Sequence, residues 1–238
     1  MKPHSLALLL AGAFVILNSP VAAQEISKMK ATIHHTGSDF AIAEFQNVAW
    51  EKARGVEIGR YWNDEPASAG RHFSTRMLWS DKYLYVRFEA KQSESLVVSE
   101  KANLATKTRG LWDRDVAEIF IAPNRNEPWK YFEFEIAPNG EWIDLGIDLA
   151  SGKRVTDWDF RSGMESAAKI EKHRVLMAIK IPWKSLGKTP AAGDIWLGNL
   201  YRCVGKNSKR GYLAWRPTLS AEPAFHVPEK FGEFEFVK

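Results

Sequence analysis

The sequence predicts an all-β protein, built as an antiparallel β-sandwich with short helical turns. The aromatic content supports this, because 10 Trp, 13 Phe and 6 Tyr among 238 residues favour strands and stacking surfaces over helical bundles. Short runs with alternating polarity also recur between turn signals along most of the chain. Roughly ten short strands at such spacing are typical of a sandwich.

Individual strands are predicted from this two-residue alternation and from the turns that bound it. The predicted strands are 71–79, 83–91, 116–122, 129–137, 141–147, 166–171, 175–181, 195–204, 212–215 and 233–237. Only two helical turns are expected, around residues 49–54 and 183–186. Pro138-Asn139-Gly140 predicts a hairpin turn between the fourth and fifth strands.

The two strands of that hairpin have distinct faces. In the first, Phe132, Phe134 and Ile136 alternate with Tyr131, Glu133 and Glu135; in the second, Ile143, Leu145 and Ile147 alternate with Trp142, Asp144 and Asp148. Alternating acids are usually found on the solvated face of a hairpin, and this is the expectation for Glu133 and Glu135.

Residues 1–23 are predicted to be a cleaved signal peptide. Lys2 precedes an apolar run of twelve residues at 6–17, and Val21-Ala22-Ala23 offers small residues before Gln24. Twelve residues span only ~18 Å of helix, short of the ~30 Å hydrocarbon core. We therefore expect a secreted or periplasmic protein with a single domain at 24–238 and no membrane span after cleavage.

Charge and cysteine content exclude several classes of function. The 33 Lys and Arg against 29 Asp and Glu include no basic run longer than two residues, which is evidence against nucleic-acid binding. Cys203 is the single cysteine, so no internal disulfide can form. Its apolar surroundings at 195–204 indicate a buried, inert thiol.

Enzyme motifs are missing from the sequence. There is no G-x-S-x-G, H-E-x-x-H, P-loop or G-x-G-x-x-G after a strand, and the six histidines are scattered. One enzymatic alternative remains, a glycoside hydrolase that uses Glu133, Glu135 or Glu118 as its carboxylates. Glu133 and Glu135 lie two apart on one strand, about 7 Å, which fits the separation such chemistry requires.

Metal and haem binding are further alternatives. Four acids in a turn-rich stretch are candidate ligands for a structural calcium ion, although a solvated acidic loop is the more common arrangement: Asp144, Asp148, Asp157 and Asp159. A C-x-x-C-H motif is absent, which excludes covalent c-type haem. Non-covalent haem would need an axial ligand, for which the candidates are Met77, Met164, Met177, His72 and His226.

Tryptophans beside turns or strand ends are candidates for a binding surface: Trp112, Trp129, Trp142, Trp158, Trp183 and Trp215. For any one of them a buried plug is the more common role, because exposing an indole is costly. Two rings that face each other across a cleft would instead hold a pyranose, with the polar rim bonding its hydroxyls.

Three ordered segments carry a resemblance to a known family. They are LWSDKYLYV at 78–86, WDRDVAEIFI at 112–121 and FHVPEKFG at 225–232. The segments are similar to those of the family-nine carbohydrate-binding modules, and the resemblance covers the chain from about Ala41 onward. It implies a β-sandwich of the kind shared with DOMON domains. It also implies a sugar slot between two tryptophans, where a carboxylate, an arginine and an asparagine bond the terminal sugar.

Some positions of that slot are kept and others differ. By this resemblance Trp112 takes the place of the first tryptophan, Glu118 that of the carboxylate, and Phe225 that of the second tryptophan. The arginine position falls on Glu135 and the asparagine position near Glu222. The differences imply a different glycan, for instance one that presents amino or hydroxyl donors to two acids.

Two further polar residues lie in segments that resemble the family, Arg202 and His226. Each is a candidate for ligand binding. The equal alternative is that each ties sandwich loops to backbone carbonyls, since the hydrogen-bonding capacity of Arg and His fits both roles.

Together these observations predict non-catalytic carbohydrate binding by an exported protein with a role in polysaccharide utilisation. The expected ligand is a monosaccharide, an oligosaccharide or the end of a polysaccharide, and glycoside hydrolases acting on the same glycan are expected partners. No cofactor is expected beyond the candidate calcium ion. The alternatives are a haem-binding DOMON-like redox module and a glycoside hydrolase.

Overall fold

The computed structural model describes residues 29–238, and the expected signal peptide at 1–23 lies outside the described residues. This part of the chain contains thirteen strands: β1 Lys30–His35, β2 Val56–Ile58, β3 Phe73–Trp79, β4 Tyr83–Lys91, β5 Val116–Ala122, β6 Lys130–Ile136, β7 Trp142–Asp148, β8 Val155–Asp157, β9 Glu165–Ile170, β10 Arg174–Pro182, β11 Ile195–Val204, β12 Gly211–Ala214 and β13 Gly232–Val237.

The helices of the same region are all single 3₁₀ turns of three or four residues. They are Val48–Glu51, Ala69–Arg71, Leu111–Asp113, Trp183–Ser185, Asn207–Lys209 and Pro228–Lys230. The two predicted turns, around 49–54 and 183–186, are confirmed in shorter form. Between residues 29 and 238, no helix has the length and apolar character that crossing a membrane would require.

The strands form one curled, hydrogen-bonded sheet in the order β8-β7-β6-β5-β11-β13-β1-β3-β4-β10-β9, with β12 beside β11 and β2 beside β3. The predicted all-β sandwich is confirmed. Its pairs are antiparallel apart from β1, which runs parallel to both β13 and β3. β1 therefore joins the two halves of the sheet, a role that the sequence analysis missed.

All ten predicted strands form, with ends within two residues of those expected. The three that were missed, β1, β2 and β8, have three to six residues each. Such short segments show too few alternations to stand out from loops.

The main core takes side chains from one face of strands in both halves of the sheet, including Ile119, Phe134 and Phe236. Its largest fully buried members are the indoles of Trp183 and Trp196, whose ring centroids are 5.6 Å apart in an edge-to-face arrangement. Such interlocked aromatic packing gives a rigid support for the opposite face of β5 and β6.

A second apolar cluster lies on that opposite face of β5, β6, β7 and β11, and includes Phe120, Tyr131, Leu145, Tyr201 and Cys203. Loop side chains such as Trp112, Trp158 and Phe225 pack over it. The predicted alternation in β6 is confirmed, because Phe134 and Ile136 enter the main core. The expectation of a solvated acidic face was wrong, since Glu133 and Glu135 lie on the covered side, 3% and 0% exposed.

Candidate functional site

A pocket of about 360 Å³ opens over the second apolar cluster. Its floor comes from β5, β6 and β11, and its walls come from the loops around Trp112, Trp158 and Phe225. Five of the seven residues predicted to bind the ligand line it together: Trp112, Glu118, Glu135, Phe225 and His226.

Strand register brings three carboxylates to the pocket floor. Glu118 of β5 lies directly opposite Glu135 of β6, and Glu133 is two residues along the same strand, on the same face. An oxygen of each carboxylate lies within 4.8 Å of one from each of the others. Like charges in directly opposed positions destabilise a sheet, so this arrangement costs stability.

These carboxylates have few partners of their own. Both oxygens of Glu135 and Oε2 of Glu133 are buried without a hydrogen-bond partner, while Glu118 Oε1 accepts a weak bond from the Cys203 thiol at 3.5 Å. Burial raises the pKa of all three carboxyl groups, and the charges of neighbouring glutamates raise those of Glu118 and Glu135 further. Ionising the floor therefore calls for a donor or a positive charge from outside.

His226 lies beside this floor as a neutral imidazole. Its Nδ1 is 2.6 Å from the Tyr131 hydroxyl, and its Nε2 is 3.8 Å from Oε2 of Glu133. Burial, together with the charge of Arg154, lowers the pKa of His226 to about 3. A ring that accepts from Tyr131 through Nδ1 keeps its proton on Nε2, on the side of Glu133.

One wall of the pocket is a pair of tryptophans. Trp112 lies in the 3₁₀ turn that follows Gly110, which adopts a left-handed conformation (φ 75°). The ring centroids of Trp112 and Trp158 are 6.2 Å apart, tilted by 46°. Arg210 fixes the turn because its guanidinium donates to the carbonyls of Trp112 and Arg114. The two half-buried indoles therefore have defined positions.

A second wall of the pocket is built on Phe225. Its ring stacks on Tyr201 with centroids 4.0 Å apart and planes within 9°, and the Tyr201 hydroxyl donates to the Phe225 carbonyl at 2.9 Å. One face of the ring is thus covered, and Tyr212 lies at its edge, 6.1 Å away. Apolar walls above a floor of hydrogen-bond acceptors suit a small polyhydroxylated ring.

Two candidates from the sequence lie away from this pocket. Arg202 is on the core face of β11, where it donates to the carbonyls of Arg71 and Lys91 at 2.6 and 2.8 Å. Arg202 therefore lies away from the pocket, and its bonds are those of the alternative stated from the sequence, in which it ties loops to backbone carbonyls. Glu222 is exposed and outside the lining, although Pro223 beside it lines the pocket.

The four candidate calcium ligands do not converge. Within residues 29–238, the only groups of three or more candidate ligands close enough to share an ion are Glu118, Glu133 and Glu135. Asp144 is instead paired with Lys107 at 2.6 Å. Asp148 accepts a bond from the backbone N–H of Ala150, and Asp157 accepts one from the backbone N–H of Asp159.

The candidate haem ligands are also spread through the fold. Met77, Met164 and Met177 belong to the main core, and His72 Nε2 lies 3.0 Å from the Ala67 carbonyl. His226 alone among these five lines the pocket. The prediction that Cys203 is a buried thiol is confirmed, and burial raises its pKa well above the usual range.

Several lining residues were absent from the predicted site: Glu133, Trp158, Tyr212, Arg154 and Arg210. The alternation in β6 places Glu133 on the same face as Glu135. The presence of Glu133 in the pocket would have followed from the sequence if that face had been predicted to be buried under loops. Trp158 carried only the general signal of a loop tryptophan. The other three reach the pocket through contacts between distant segments, for which the sequence has no local signal.

Comparison with known proteins identifies related sequences. Residues 43–238 match the family described as Carbohydrate family 9 binding domain-like. An extracellular protein of Arthroderma benhamiae is 27% identical over 180 residues, which cover 68% of this chain and 77% of that protein.

Solved structures share the fold at low sequence identity. A candidate carbohydrate-binding protein from Bacteroides uniformis superposes with a TM-score of 0.69 at 18% identity, covering 88% of this chain and all of that one. A family 9 carbohydrate-binding module from Caldicellulosiruptor kristjanssonii with cellotriose gives 0.64 at 16% identity, covering 88% and 94%. The complex of such a module with glucose gives 0.61 at 16%, covering 87% and 95%.

Proposed function

Because this chain belongs to the carbohydrate family 9 binding domain-like family, we propose that its pocket binds a sugar ring without hydrolysing it. The observation that carries the proposal is the pairing of aromatic walls with a carboxylate floor in one pocket. Trp112 and Phe225 pack against the C–H faces of the ring, and Glu118 and Glu135 accept bonds from its polar groups. Neighbours of the same fold that hold glucose and cellotriose support this assignment.

Binding rather than hydrolysis is supported by where the carboxylates lie. Glu118, Glu133 and Glu135 are side by side on two paired strands of the pocket floor. A glycosidase instead places its two carboxylates so that they flank the scissile bond. We propose that the sugar is a monosaccharide or the end of a longer glycan, on which glycoside hydrolases act separately.

Trp112→Ala should weaken sugar binding by about 30-fold or more, because truncating a central aromatic anchor typically costs ~2 kcal/mol. Calorimetric titration of the purified protein with a panel of mono- and oligosaccharides, followed by assays for released reducing sugar, measures both binding and turnover. Trp129→Ala is the matched control, since Trp129 is 37% exposed and outside the pocket lining. Equal affinities of the wild type and the Trp112 variant would contradict the proposed slot.

We also propose that the protein is exported after cleavage at Ala23, in support of polysaccharide utilisation outside the cytoplasm. The apolar run at 6–17 and the small residues at 21–23 support this, as does the extracellular relative from Arthroderma benhamiae. The intact mass of protein recovered from the cell envelope or the medium should correspond to a chain that begins at Gln24. A mass that retains residues 1–23 would argue against cleavage.

A further inference from the structure

We propose that the pocket selects a sugar bearing a primary ammonium group, such as a 2-amino-2-deoxyhexose, whose three N–H donors bond to Glu118, Glu133 and Glu135. This inference rests on the proposed function and names the class of sugar. It assigns Glu133 and Glu135 the role of recognising the charged substituent, while the aromatic walls recognise the ring.

The three carboxylates are close enough together for one ammonium group to bond to all of them. An ammonium has three N–H donors in tetrahedral directions, and charge-assisted N–H···O bonds are about 2.8 Å long. Three acceptors bonded in this way lie about 4.6 Å from one another, by tetrahedral geometry at that bond length. Oxygens of the three glutamates lie within 4.8 Å of one another, so one nitrogen above them can reach all three.

Unsatisfied acceptors point to a missing donor. Glu135 is 0% exposed and lines the pocket, and neither of its carboxyl oxygens has a donor other than the neighbouring Glu133 carboxyl when one of the two is protonated. Oε2 of Glu133 is buried without a hydrogen-bond partner as well, with His226 Nε2 3.8 Å away. Buried polar atoms in folded proteins are nearly always bonded, so such a set at the bottom of an open pocket indicates a ligand that donates to them.

Nearby cations offset the charge of this floor only in part, since Arg210 acts on Glu118 and Arg154 on Glu133 at a distance while burial still raises the pKa of both carboxyls. The guanidinium of Arg210 donates to the backbone carbonyls of Trp112, Arg114 and Gly205. Arg154 is an exposed residue of the pocket lining, and it forms no salt bridge with these glutamates. A positive charge brought by the ligand would compensate the buried carboxylates, which a neutral sugar hydroxyl cannot do.

A divalent cation is the main rival occupant. Ca²⁺ takes six to eight oxygens, whereas the cluster consists of three carboxylates. An ammonium needs only the three acceptors present. The aromatic walls of the pocket also suit a sugar ring that carries the positive charge. A free metal ion would make no contact that needs these walls.

The test is calorimetric titration with glucosamine, glucose and N-acetylglucosamine at pH 6.5, where a primary amine is protonated, first with EDTA and then with CaCl₂. We expect glucosamine to bind at least tenfold more tightly than the two uncharged sugars in EDTA. In Glu135→Gln the affinity for glucosamine should fall at least tenfold, and the preference for glucosamine over glucose should shrink to less than threefold. Glu127→Gln, at a half-exposed glutamate that pairs with Lys130 and lies outside the pocket lining, is the matched control and should bind as the wild type does.

Other outcomes separate this inference from the proposed function. Equal affinity for glucose and glucosamine would overturn the ammonium assignment and leave sugar binding supported. Sugar binding that occurs only with CaCl₂ would overturn it in favour of a metal on the same carboxylates. Failure of every sugar to bind, with the fold intact by circular dichroism, would overturn both proposals.

Discussion

Replacing Lys107 with methionine should lower the free energy of unfolding by about 3–5 kcal/mol, the usual cost of removing one partner from a buried ion pair. The Lys107 ammonium lies 2.6 Å from Oδ1 of Asp144, and the two side chains are 7% and 1% exposed. It also donates to the carbonyls of Asp144 and Phe160, each at 2.6 Å. Methionine keeps the aliphatic stem but leaves a buried carboxylate and these carbonyls without that donor.

Urea unfolding of the wild type and the variant measures the loss. Lys130→Met is the control, because Lys130 pairs with Glu127 while 51% exposed, and such surface pairs contribute about 0.5 kcal/mol. Adding Asp144→Asn to Lys107→Met should recover part of the loss by removing the orphaned charge. Similar losses in the two lysine variants would contradict a structural role for the buried pair.

This pair also bears on the pocket. Asp144 accepts from both the backbone N–H and the hydroxyl of Ser162 at 2.7 Å, so Lys107 and Asp144 hold the segment that carries Trp158 against β7. Arg109, two residues after Lys107, lies 4.7 Å from the centre of the Trp158 ring. The stability of this connection and the position of one aromatic wall therefore depend on the same buried charges.

The strands and their faces could be predicted because alternation is a local property. In β6, a period of two separates Phe134 and Ile136 from Glu133 and Glu135 whatever covers either face. The same rule applied to β11 places Arg202 on the core face, whereas its neighbours Tyr201 and Cys203 point to the other face of the sheet. Its candidacy for ligand binding arose from the resemblance of its segment, and alternation alone would have corrected it.

Burial of the acidic face could not be read from the sequence in the same way. It depends on Trp112, Trp158 and Phe225, which come from three loops far apart in the chain and meet over β5 and β6. The pairing of Glu118 with Glu135 likewise depends on the register between two strands. Such register is set by the turn and by packing across the sheet, which local periodicity does not specify.

Glu135→Gln should stabilise the unliganded protein at pH 8, by an amount on the order of 2 kcal/mol, with the gain disappearing at pH 4. Burial raises the pKa of Glu135 well above its ordinary range, and the charges of Glu118 and Glu133 raise it further. The folded state therefore holds the proton more tightly than the unfolded chain does. The contribution of this bound proton to the free energy of unfolding is fully present below the ordinary carboxyl pKa. It is lost as the pH rises through the raised pKa of the folded state.

Urea unfolding of the wild type and the variant between pH 4 and pH 9 tests this, because glutamine has no proton to lose and the difference between them isolates Glu135. Glu141→Gln should behave oppositely: burial alone would raise the pKa of Glu141, but hydrogen bonds from Ser99 and Asn139 bring it below the usual range. That variant should lose stability near neutral pH and recover relative to the wild type in acid. A pH-independent difference between Glu135→Gln and the wild type would mean that the Glu135 carboxyl has the same pKa folded and unfolded.

A pH-dependent difference of the expected sign would mean that the wild type is less stable at neutral pH because it keeps an ionisable carboxyl in the pocket floor. Such a loss is expected where binding and stability compete at one site, here for a ligand that donates to this carboxyl.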